Sequence, residues 1–93
     1  MRAIPFTGVS GALALTPAPY LYYRGIRLAE TAGASARLVI WDNASAAAGT
    51  ILDEINFLGG ESVRETYSPP EPALNGIYVQ VVSGTVAGSI LVD

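Results

Sequence analysis

The stretch from Ala36 to Phe57 constrains the fold most tightly. Arg37 to Asp42 reads as a strand ending on a large aromatic, Trp41. A loop of small residues, Asn43 to Gly49, follows, and Thr50 to Leu58 reads as a second strand. Alternation in that run puts Ile51, Ile55 and Phe57 on one face and Leu52, Glu54 and Asn56 on the other. No helical period runs through the chain. Only Ala44 to Ala48 is compatible with a helix, and Gly49 and the shortness of the segment argue against it.

The same grammar repeats downstream. Tyr20 to Thr31 is aromatic and then alternating, with Ile26 and Leu28 on one face and Arg27 and Ala29 on the other. Thr31 to Ser35 is a turn of small residues, and Gly59-Gly60 is a turn before a strand over Ser62 to Tyr67. Ser68-Pro69-Pro70-Glu71-Pro72 cannot pair regularly, so it marks a crossover or a sheet edge. Asn75-Gly76 opens Ile77 to Val82, and Ser83-Gly84-Thr85 turns the chain into Val86 to Val92. Strands at this spacing predict an all-β protein: a small antiparallel β-sandwich, or a β-tulip-like barrel. Residues 20–93 form that domain. Residues 1–19, uncharged but for Arg2 and rich in Gly, Ala, Pro and Thr, are an N-terminal arm or a pair of edge strands, with Ala12 to Thr16 the expected strand. Ile4, Phe6, Leu13 and Leu15 make the arm too apolar to hang free, so it should lie on its own surface or a neighbour's. The arm is then the candidate contact, and removal of Met1 to Pro17 is expected to cut binding to a partner while leaving the β-domain folded.

A 93-residue chain makes one domain and hides about two-thirds of its unfolded surface. Domains this small usually add a disulfide, a metal or a partner. Cysteine is absent, which excludes disulfides; histidine is absent, which leaves carboxylates and backbone oxygens as the only metal ligands. Half the residues are hydrophobic and 14% are charged, so a partner surface is the natural remaining support. The formal net charge of −3 opposes nucleic-acid binding. Gly11 to Leu15 is too short to span a bilayer, and the glycines and prolines around it interrupt any leader-like run. Neither a membrane nor a nucleic acid is an expected partner.

The residues offer little catalytic chemistry. Without His or Cys there is no ordinary nucleophile–base pair, zinc site or histidine proton shuttle. Asp53 and Glu54 are strand neighbours and face opposite ways. Glu61 and Glu65 can share a face, yet the sequence between them is ordinary strand. Asp42, Asn43 and Ser45 lack the spacing of a calcium loop and suit a turn. The glycines form no phosphate-binding pattern. Neither a cofactor nor catalysis is expected. Tyr20, Tyr22, Tyr23 and Trp41 are candidates for an interface or, less simply, for a sugar-stacking platform. Alternation puts Tyr20 and Tyr22 on one face with Tyr23 on the other, and Trp41 can instead plug one end of the sandwich.

Three segments resemble a recurring small virion protein of tailed bacteriophages. They are Ala36 to Asp42 with its small-residue loop to Gly49-Thr50-Ile51-Leu52, Glu61 to Tyr67, and Leu74 to Val86. The resemblance covers about two-thirds of the chain and rests on the order of turns and alternating runs. It implies a β-sandwich or β-tulip-like domain that decorates and cements the capsid, often as a homotrimer at three-fold positions. The major capsid protein would be its partner, the virion surface its location, and no residue would be catalytic. A carbohydrate- or receptor-binding module on a virion, and a tail or head–tail connector component, are the alternative expectations.

Overall fold

The computed structural model describes residues 2–6, 8–12 and 22–93. These form eight strands and no helix: β1 (Arg2–Phe6), β2 (Gly11–Ala12), β3 (Tyr22–Glu30), β4 (Ala36–Asp42), β5 (Thr50–Phe57), β6 (Ser62–Pro72), β7 (Tyr78–Ser83) and β8 (Val86–Val92). Two antiparallel four-stranded sheets result. Sheet A has the order β1-β8-β3-β6, and sheet B the order β2-β7-β4-β5.

Alternation builds the core between them. In sheet A, Ile26 lies opposite Ile90, which lies opposite Ile4, and Leu28 lies opposite Val63. In sheet B, Leu38 lies opposite Ile55 and Val81, and Ile40 lies opposite Val79. These rows meet face to face, and most of their members are buried. Each fully buried aliphatic or aromatic side chain contributes about 1.5–3 kcal/mol. The product is a β-sandwich, not a tulip-like barrel.

The pairing is nested: β1 with β8, β2 with β7, β3 with β6, and β4 with β5. A long hairpin folded at the β4–β5 loop gives these pairs. Rolling it up brings β8 beside β3 and β7 beside β4. This is the eight-stranded jelly roll, an architecture common among viral shell and lectin domains.

Three irregularities re-aim side chains. Between Ile40 and Trp41 the β5 register steps over Leu52. The extra residue inverts the alternation, so Leu52 packs on the core while Ile51 is 47% exposed. The expected grouping of Ile51 with Ile55 and Phe57 is therefore corrected. On the other side of β4, Val82 is skipped and pushed outward. In β3 the register breaks between Tyr23 and Gly25, opposite the Pro-containing part of β6. That segment is an edge strand, as its prolines require. Gly25 serves the break: its φ is +144°, and a Cβ there would lie 1.9 Å from the Glu65 carbonyl oxygen.

Among the described N-terminal residues, Arg2–Phe6 and Gly11–Ala12 are edge strands of the sandwich itself. β1 borders sheet A and β2 borders sheet B. Phe6 is 6% exposed and belongs to the core, and half-buried Ile4 packs against it. The strand over Ala12 to Thr16 lies, beyond Ala12, outside the described residues. The strand that is seen, Arg2–Phe6, contains Pro5, which an edge tolerates. Ala44 to Ala47 forms bends instead of a helix.

Candidate binding surfaces

The described aromatic residues do not form one cluster. Tyr23 is fully buried between the sheets. Its hydroxyl donates to Asp53 Oδ2 across the gap at 2.7 Å. The Tyr67 hydroxyl, on β6, lies 2.7 Å from the same oxygen and 2.7 Å from Glu65 Oε2. The two rings tilt at 45° with centroids 5.7 Å apart. Burial, and then the neighbouring carboxylates, hold both phenols protonated well above the ordinary tyrosine range. The assembly ties β5 of one sheet to β3 and β6 of the other. Asp53 and Glu65 do approach each other here, a pairing the sequence reading did not weigh. The Tyr67 oxygen occupies the space between them, where a glycosidic bond would have to sit.

Tyr22 is half-buried on sheet A, at the end of β3. Tyr20, Leu13 and Leu15 lie outside the described residues. Trp41 sits on the outer face of sheet B, on an inner strand but one residue from the end of β4, so it lies near one end of the sandwich and outside its core. Its strand neighbours are Ile51 on β5 and Tyr78 on β7. The three make one outward row across three strands. Half-buried Trp41 donates its indole N–H to Gln80 Oε1 at 3.0 Å, which fixes the ring against the sheet. Val39 is buried in the next row, and beyond it Val82 is 46% exposed. The Arg37–Glu54 ion pair borders the row on the same face.

Sequence reasoning picked out Trp41 but missed its partners. Tyr78 is recoverable in principle, because it alternates with the buried Ile77 and Val79. Ile51 is not, because the bulge that turns it outward has no local sequence mark. Gln80 carried no signal of its own.

The acidic loops are structural. Glu30 is 4% exposed and accepts four backbone N–H groups: Ala32 at 2.7 Å, Gly33 at 2.6 Å, Ala34 at 3.1 Å and Gly60 at 2.9 Å. The Gly60 bond, followed by the other three, lowers its pKa below the ordinary glutamate value against the opposing effect of desolvation. Asp42 is buried and accepts from the Asn75 N–H at 2.7 Å. Asn43 Oδ1 accepts from the N–H groups of Ser45 and Ala46, and its amide donates to the Ala48 carbonyl. The Asp42–Ser45 segment is thus a side-chain-capped turn. Among the described residues no cluster of three or more potential metal ligands occurs. No family model, curated protein or solved structure matches this chain.

Proposed function

We propose that the protein is a non-enzymatic decoration protein of a tailed bacteriophage that docks on the outer surface of the capsid and cements the shell, with sheet B as its docking face. The observation that carries this reading is the Ile51–Trp41–Tyr78 row, an apolar and aromatic strip on the outside of a very small sandwich. Tryptophan and tyrosine with a rigid backing are the side chains from which binding anchors are made. The Gln80 bond lowers the entropy that Trp41 loses on docking. The turn-and-strand resemblance supplies the address, and the jelly-roll order supports it by analogy of fold. A decorator works by number: many modest contacts bridge capsomers through avidity, and binding only the assembled shell stabilises it by mass action. A homotrimer at the three-fold axis is the proposed unit.

Purified source virions test this directly. The protein should be present in many copies, with density on the outside of the head at three-fold positions. Trp41→Ala should fold normally but be lost from shells on washing. Density confined to the tail, or full retention of the Trp41→Ala variant, would overturn the assignment. One observation favours a second reading, in which the module binds a glycan: a fixed indole beside a tyrosine on a jelly-roll face can stack a sugar. A glycan-array signal lost in Trp41→Ala, with no binding to shells, would select it.

A further inference from the structure

The outer face of sheet A is the reverse of the sheet B face in chemistry. Arg27 on β3 lies directly opposite Arg64 on β6, and both are exposed. Like charges at opposed strand positions destabilise a sheet, and this pair occurs in a chain of net charge −3. Nothing beside it compensates. On its other flank Arg27 faces Ser89, and the adjoining outward positions carry Ala29, Ser62, Thr66 and Ala87. Arg24 and Arg37 pair with Asp93 and Glu54, whereas the side chains of Arg27 and Arg64 make no hydrogen bond or ion pair among the described residues. Between them lies an open depression of about 260 Å³, lined also by Leu28, Ala29, Ala87 and Ser62.

We infer that this depression is a binding site for a carboxylate side chain of an acidic peptide segment on a partner protein, gripped between Arg27 and Arg64. Two guanidinium groups suit a carboxylate, each able to bond it in a bidentate fork. Ala29 and Ala87 give a small apolar bed for the methylenes of a glutamate, and the Ser62 hydroxyl is a further donor. The aromatic strip on the outside of the molecule is on sheet B, so the bed offers no ring on which an acidic sugar or a base would stack. β6 is the sheet edge, which leaves Arg64 approachable from the side by an extended chain. The site is separate from the Trp41 face and does not depend on the shell-binding proposal.

The free protein suffices for the test. With ¹⁵N-labelled protein, the arginine Nε–H signals are followed while the hexapeptide acetyl-Glu₆-amide is added. Acetyl-Gln₆-amide and a glucuronate-containing tetrasaccharide serve as comparison probes. The Arg27 and Arg64 signals should move saturably with the Glu peptide and stay still with the Gln peptide. Arg64→Gln should weaken the response at Arg27 by about tenfold or more, and Arg64→Lys, which keeps the charge but loses the fork, should also weaken it. Arg64→Gln, which relieves the like-charge contact, should melt at or above the wild-type temperature and Arg64→Lys, which keeps it, near the wild-type temperature, which separates loss of binding from loss of fold. Absence of a saturable shift, equal movement of the Arg2 signal, or a stronger response to the uronate sugar than to the Glu peptide would overturn the proposal. Because no shell enters the experiment, its failure is distinct from failure of the decoration reading.

Discussion

Glu30 shows how one residue ties local chain to global fold. Its carboxylate gathers four N–H groups from two loops, those after β3 and after β5. In the unfolded chain the group titrates near its ordinary value; in the fold it holds its charge to lower pH. The unfolded state therefore binds the proton more readily, and the stabilisation is complete above the ordinary glutamate pKa of about 4.5 and lost as pH falls through the lowered value. Glu30→Gln keeps the shape but replaces one acceptor oxygen with an NH₂. We expect a lower melting temperature for the variant at pH 7, with the gap to wild type closing as pH falls below 4. A gap that stays constant from pH 7 to pH 3 would mean the carboxylate charge contributes nothing. Nothing in the sequence announced this residue, because its partners are backbone groups and one of them, Gly60, is thirty positions away.

At the scale of elements, strands were legible where one face is buried and the other wet. The expected runs over β4, β5, β7 and β8 agree with the observed strands to within a residue or so at each end. Alternation fails where a bulge changes its phase, as at Leu52, and where an edge strand has little inward pattern to show. β1 is the second case: one deeply buried position, Phe6, in five residues. The arm was accordingly expected to be dispensable for folding, whereas Phe6 is part of the core. Phe6→Ala should cost about 3–5 kcal/mol, a large share of the 5–15 kcal/mol typical of a domain. In urea denaturation the midpoint should fall with the slope unchanged. A loss below about 1 kcal/mol would show that β1 is not docked on its own sandwich, and that the arm is available to a neighbour after all. Of the candidate site, the sequence showed Trp41 but not the row around it, because Ile51, Tyr78 and Gln80 come together only through pairing to β4.

The topology of the whole molecule carries its own expectation about folding. Pairing is nested, so the chain closes in order of separation: β4 and β5 are joined by a short loop, while β1 and β8 come from the two ends of the chain. By loop-closure entropy, pairing β1 with β8 before the inner strands meet is roughly 2 kcal/mol less favourable than closing the β4–β5 hairpin. The inner hairpin and its β7 neighbour should therefore be formed in the folding transition state, with β1 added late. Ile55→Val, in β5, should cost about 1 kcal/mol and slow folding, whereas Phe6→Leu, in β1, should leave the folding rate nearly unchanged and speed unfolding. Chevron plots of the two variants measure the difference. The result bears on the proposed function too: if the protein decorates a shell as proposed, a late-docking β1 is the strand most easily exchanged with a neighbouring copy. Equal fractional effects at Ile55 and Phe6 would contradict the nested order and make the sandwich collapse in one step.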